Sequence, residues 1–497
     1  MTGYAYWEIL RALSAEVMLV VTALAILTLD LLSLREVESK MRVRTLGMVA
    51  VMGLLASTVP LCQQFGERPL HFVNGTLVTG SLVSVFSLVI VLLTILITVV
   101  SMECELGHHV GEYFATVLFG AVGMMLLVSS EELLTIFVAL ELTSICLYIL
   151  TAFHKGLLRS QEAAVKYFMF GAIASAFLLF GISYIYGVTG TTNLRVMTDA
   201  VSTVAPSPLL SVALLFVLVG FGFKVAVVPF HLWAPDAYEG APTPVAAFIA
   251  TGSKVASFFV LTKVLMLGFG NMTGSAFWGK FVSGWTMLVA ITAVASMVMG
   301  NCAAIVQSNV KRLLAYSSIA HAGYIFVGLA AASATGAASV FFYVIVYALT
   351  NLGAFAVIAI LAEKVGGEDL ERFDGMAKRA PFLSLLMLVF VLSLAGVPPL
   401  GGFFGKFYLF AAAVQRDAQS FGLLWLVIVG IMMSAVSLYY YLIILKHFYV
   451  LPARDETRIA TPTYLNTVLA AVALAVIALG VFPEPILALL KNLADHL

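Results

Sequence analysis

Residues 77–101 read Leu-Val-Thr-Gly-Ser-Leu-Val-Ser-Val-Phe-Ser-Leu-Val-Ile-Val-Leu-Leu-Thr-Ile-Leu-Ile-Thr-Val-Val-Ser, with no charged side chain. At 1.5 Å per residue such a run covers a hydrocarbon layer about 30 Å thick. Comparable runs lie near 13–34, 43–62, 113–128, 133–153, 163–186, 209–230, 245–267, 278–300, 303–329, 337–361, 382–412, 422–445 and 464–482. Helices satisfy their own backbone in lipid, so the chain is expected to be an all-α polytopic membrane protein with about fourteen transmembrane helices. Composition agrees: 62% of residues are hydrophobic and 10% charged, against about 45–50% and about 25% in soluble chains. The N-terminal run lacks a small-residue cleavage site and reads as an uncleaved first span. The tenth run is interrupted at its start by Asn301, Gln307, Asn309, Lys311 and Arg312.

With fourteen spans, alternate loops fall on opposite sides. One set carries Arg35, Lys40, Arg42, Arg44, Lys155, Arg159, Lys311, Arg312, Lys364, Arg372, Lys378, Arg379, Lys446, Arg454 and Arg458. The other carries Arg11, Arg68, Arg195, Lys280, Arg416 and Lys491. The positive-inside rule assigns the first set to the cytoplasm, with both termini external. A net charge of zero excludes a basic footprint for nucleic acid. Cysteines at 62, 104, 146 and 302 form no cluster, and no nucleotide loop is present, so no metal, nucleotide or redox cofactor is expected in this chain.

Charged groups inside the runs are the exceptions to explain. A charge at a helix centre costs about 2.5–3.5 kcal/mol even on lenient scales. Five lysines, Lys166, Lys224, Lys254, Lys263 and Lys406, lie in spans, and no arginine does. Glu16, Asp30, Lys263 and Glu363 lie near span ends, where a side chain can snorkel to the interface. Lys254 and Lys263 are nine residues apart, half a turn out of phase, so Lys254 is expected to face the interior and Lys263 not. Glu141 is deep in its span, and Glu162 and Lys166 are spaced to meet on one helix face. Burial disfavours an ammonium and a nearby carboxylate favours it, so a lysine between the two influences can load and release a proton. Arginine cannot.

Two spans are broken. In Gly220-Phe-Gly-Phe-Lys224-Val-Ala-Val-Val-Pro229-Phe-His231 the proline cannot donate to the Val225 carbonyl, which is expected beside Lys224. In Ala395-Gly-Val-Pro-Pro-Leu-Gly-Gly-Phe-Phe-Gly405-Lys406 two prolines and four glycines open the backbone. Interrupted backbone at membrane depth is tolerated inside protein or beside water, and breaks at corresponding places in two halves point to a repeat-built transporter. The expected divisions are three N-terminal helices in 1–110, one half-channel in each of 111–270 and 271–450, and a C-terminal helix in 451–497.

The stretch from Lys224 to Val245 resembles the signature of the proton-translocating antiporter-like subunits of respiratory complex I, a family that also contains subunits of Mrp-type sodium/proton antiporters. Ser253-Lys254, the Asn309–Tyr324 stretch and Gly396–Lys406 are similar to further family motifs, and the resemblance covers roughly 80–480. Length, Glu141 in the fifth span and lysine at 406 match the N-type branch. The resemblance implies that Glu141 and Lys166 form a charge-switching pair. It makes Lys224 the central proton site, Lys254 the connecting site, Lys406 the exit-side site and His231 a relay. His321 is read as structural. It also implies a bacterial inner membrane location. The partners would be membrane-arm subunits of the M type and the small K, J and A types. Flavin and iron–sulfur clusters would lie in other subunits. The alternative is an Mrp-type cation/proton antiporter subunit without redox partners. No quinone pocket or electron donor is legible.

Overall fold

In a computed structural model, residues 6–67, 69–204, 207–416, 421–453, 455 and 457–495 are described. Arg68, Arg454 and the two chain ends, on which part of the charge bias and the orientation rest, lie outside these residues. The described chain is helical apart from two short hairpins. Thirteen helices among the described residues are long and apolar enough to cross a bilayer. The remaining expected span, 382–412, is divided into two shorter helices, Pro381–Ala395 and Gly401–Gln415. Neither half alone has the roughly 20 residues that a span needs.

Local chemistry explains where expected boundaries shift. The span predicted over 209–230 ends at Val225, because Ala226 adopts a left-handed φ of 58° and the chain resumes as Trp233–Gly240. The span predicted over 303–329 begins at Val310. Asn309 caps it by accepting from Lys311 N at 3.0 Å and Arg312 N at 3.2 Å. Asn301 belongs to the preceding helix, Trp285–Ile305. Residues 77–79 pair with Leu70–Phe72, and Lys280–Val282 with Ser275–Phe277, as antiparallel hairpins. Each hairpin is followed by a glycine that opens the next helix, Gly80 and Gly284.

The chain divides into two compact units, residues 1–224 with 240–271, and residues 225–239 with 272–497. In the first, every residue from Thr243 to Leu265 is buried. That helix is interrupted at Thr251 (φ −122°, ψ −77°) and ends in a π turn, Val264–Gly268. In the second, Trp285–Ile305 and Val310–Ala330 pack with almost no space. A Cβ on Gly300 would lie 2.6 Å from Ala320 N, and one on Gly323 2.7 Å from Met297 Cγ. Lipid offers no hydrophobic drive between helices, so small residues that admit close approach take that role.

Three groups expected to snorkel are buried. Asp30 accepts from Arg42 Nη2 at 2.7 Å and from Gly111 N at 3.0 Å, and Glu16 is also enclosed. Lys263 is the third. The phase argument fails for Lys263 because it assumes one lipid-facing side, and this helix has none. Lys311, counted among loop charges, is buried against Glu368 at 2.6 Å.

Candidate functional site

Lys224 sits in the last turn of Pro208–Val225 and is buried. Its Nζ donates to the Ser144 hydroxyl on Leu133–Thr151, not to the Val225 carbonyl expected from the proline break. The rings of Tyr148 and Phe223 flank it, with centroids 5.8 and 5.5 Å from Nζ. Glu141, one turn before Ser144 on the same helix, is the acid whose charge acts on Lys224. The Glu141 carboxylate accepts from the Ser175 hydroxyl of Leu158–Thr189. Apolar walls thus leave this ammonium one hydroxyl and one carboxylate to answer its charge.

Glu162 and Lys166 meet as their spacing predicts, at 2.6 Å, and both side chains are largely exposed. Lys254 is buried three residues beyond the Thr251 interruption. It therefore belongs to a third break, which the sequence reading missed because no proline marks it.

Lys406 is buried in the second half of the divided span. Its Nζ donates to Leu394 O at 3.1 Å, Ala395 O at 3.0 Å and Ser434 Oγ at 2.9 Å, and lies 4.9 Å from the Tyr324 ring centroid. The last carbonyls of Pro381–Ala395 lack helical partners at the break. They carry the negative end of that helix dipole, where a cation is stabilised. Gly480 lets helix Thr463–Val481 close against the opened backbone, since a Cβ there would clash with Pro399 O.

His231 lies in the first break, buried, with Nδ1 lacking a protein partner. His321, read as structural from sequence, joins a wider network. One ring nitrogen is 2.5 Å from Tyr343 Oη and the other 2.8 Å from Tyr441 Oη. Beside Tyr441, Tyr440 donates to Asn301 Oδ1 at 2.9 Å, and Asn301 Nδ2 donates to Tyr324 Oη at 3.0 Å. Tyr324 is the ring under Lys406. All these groups lie in the second unit. Hydroxyls both donate and accept, so Tyr343, His321 and Tyr441 form a hydrogen-bonded relay, which ring contacts and the Asn301 amide connect to Lys406. These groups are scattered from 301 to 441, which is why no motif showed them.

Among the described residues, no group of three or more His, Cys, Asp or Glu could hold a metal ion. The arrangement suits proton transfer between buried bases.

Residues 130–436 match the family described as NADH:quinone oxidoreductase/Mrp antiporter, TM. The chain is 45% identical over 496 residues to NADH-quinone oxidoreductase subunit N 2 of Acidobacterium capsulatum, covering 97% of this chain and 99% of that one. It is similar to a chain in respiratory complex I from Thermus thermophilus with bound Aureothin. That likeness has a TM-score of 0.77 and 34% identity, over 95% of this chain and 98% of that one. A chain of the Mrp complex from Dietzia sp. DQ12-45-1b shares the fold, with a TM-score of 0.82 at 19% identity over 98% of this chain and 97% of that one. The two lysine-bearing breaks are thus features of a chain that belongs to the NADH:quinone oxidoreductase/Mrp antiporter family, within its NADH-quinone oxidoreductase subunit N group.

Proposed function

We propose that Glu141, Lys166, Lys224 and Lys254 in the first unit, and His231 and Lys406 in the second, carry protons across the membrane in this subunit of NADH-quinone oxidoreductase. The observation that carries the reading is the pair of broken helices, each holding a buried lysine against hydrogen-bonding partners. Glu141 is the adjustable counter-charge of Lys224 and the switching partner of Lys166, whose ammonium meets Glu162 on the same helix face. His321 and its tyrosines extend the set that ends at Lys406.

Redox chemistry takes place in other subunits, which hold flavin and iron–sulfur clusters. The chain contributes no substrate site and converts their signal into proton movement. Its neighbours are membrane-arm subunits of the M type and the small K, J and A types. The half-channels occupy 111–270 and 271–450, flanked by 1–110 and 451–497. The chain lies in a bacterial inner membrane with both termini external, as the loop charges favour. Likeness to the Mrp complex at 19% identity bears on fold alone, so the redox reading is preferred.

Purification of the tagged chain from native membranes tests this reading. The expected preparation contains redox partners with flavin and iron–sulfur absorbance and oxidises NADH with quinone. A preparation holding only other antiporter subunits, without those chromophores, overturns it.

A further inference from the structure

Lys263 is the intramembrane lysine that this route leaves unused. Its Nζ donates to Ser130 O at 3.0 Å and lies 3.4 Å from both Val128 O and Glu131 Oε1. The Lys263 and Glu131 side chains are each 2% exposed. Glu131 is shared further. Arg195 donates to it through Nε at 2.9 Å and Nη2 at 3.2 Å, and His71 Nδ1 lies 3.3 Å from Oε2. His71 is 38% exposed, so a continuous line of titratable groups runs from the surface to Lys263. The backbone pins the acid: Glu131 N donates to Thr76 O at 2.8 Å, and Leu194 N to Glu131 O at 3.0 Å. The neighbouring Glu132 is occupied in capping the next helix through Leu134 N and Thr135 N.

Arg195 distinguishes this cluster from a simple buried ion pair. If Lys263 alone answered Glu131, loss of its proton would leave an uncompensated buried charge. Arginine never deprotonates, so Glu131 keeps a partner in either state of Lys263. Neutral Lys263 still donates to the Ser130 carbonyl. Burial alone would raise the Glu131 carboxyl. The Arg195 hydrogen bond and the charges of Lys263, Arg195 and His71 hold it below the ordinary carboxylate range. Glu131 therefore transmits a proton without storing one. Lys263 also lies directly before the π turn, a local irregularity frequent at functional positions.

We propose that Lys263 is a further proton-exchange group of the first unit, linked through Glu131 to His71 and so to the external solvent. In the step, an N–H bond of the Lys263 ammonium breaks and the Glu131 carboxylate takes the proton. The carboxylate returns to its anion as the His71 Nδ1–H bond forms, and His71 releases a proton from Nε2 to water. This rests on the reading of Lys254, nine residues earlier on the same helix segment, as a proton carrier.

The test is external proton release in membranes holding the assembled complex. Lys263→Arg keeps the charge facing Glu131 but cannot release a proton. Release is expected to slow on the order of a hundredfold, the low end for a positioned proton-transfer group. Release at the normal rate overturns the proposal and leaves Lys263 a structural tie. Should Lys263→Arg fail to assemble, His71→Gln on the exposed hairpin decides. It is expected to slow release, with recovery on adding imidazole to the external buffer. Normal release without imidazole, or no recovery with it, overturns the proposal. Lys254→Arg separates the two readings. If it stalls while Lys263→Arg runs normally, only the outer exchange role falls. If both run normally, the proton-carrier reading of the first unit falls with it.

Discussion

The two broken helices solve the same problem, a buried ammonium, with different partners. Lys224 sits at the end of its half-helix and reaches across to a neighbouring helix, where Ser144 takes its hydrogen bond and Glu141 supplies the opposing charge. Lys406 reaches back to the half-helix before its own break and takes two of its terminal carbonyls plus the Ser434 hydroxyl. The first lysine depends on a carboxylate whose charge and position can change. The second is held by backbone dipoles that are fixed. On the proposed reading Lys224 is the adjustable proton site and Lys406 the constant one, and substitution should separate them.

The largest difference is expected for Glu141→Gln. Glutamine keeps a group for the Ser175 hydroxyl but removes the carboxylate charge that acts on Lys224. Coupled NADH oxidation in membranes should fall by about tenfold, taking ~1.4 kcal/mol as the lower bound for losing a neighbouring charge in a buried site. Unchanged turnover would mean that Lys224 is not governed by this acid. A smaller contrast is expected between Ser144→Ala and Ser434→Ala. The first removes the hydroxyl that answers Lys224; the second leaves Lys406 its two carbonyls. A hydrogen bond contributes about 0.5–1.5 kcal/mol net, so Ser144→Ala should slow turnover several-fold while Ser434→Ala stays within about twofold. Equal losses at the two sites would erase the distinction drawn here.

Much of this was legible because membranes impose simple rules. Thirteen of the fourteen expected spans followed from run length, and both breaks from Pro229 and Pro398-Pro399, since proline removes a donor that lipid cannot replace. The Glu162–Lys166 pair followed from helical spacing alone. What stayed hidden depended on neighbours. The interruption at Thr251 carries no proline, and Thr251-Gly252-Ser253 is an ordinary small polar run in a packed helix. The second strands of the two hairpins, Leu77–Thr79 and Lys280–Val282, read as the starts of spans because they are largely apolar. Lys263 was misread because phase along one helix says nothing of what surrounds it. His321 drew no functional reading because its partners Tyr343 and Tyr441 lie 22 and 120 residues away in sequence.

On the proposed reading Lys224 carries a proton and does not merely hold a positive charge. Lys224→Arg tests it most directly, because arginine keeps the charge yet cannot deprotonate. The measurement is the number of protons pumped per NADH oxidised in sealed vesicles, after assembly of the complex has been verified. The account predicts a ratio clearly below that of the unaltered protein, with coupled turnover slowed. A normal ratio in Lys224→Arg would contradict it and leave Lys224 an electrostatic fixture.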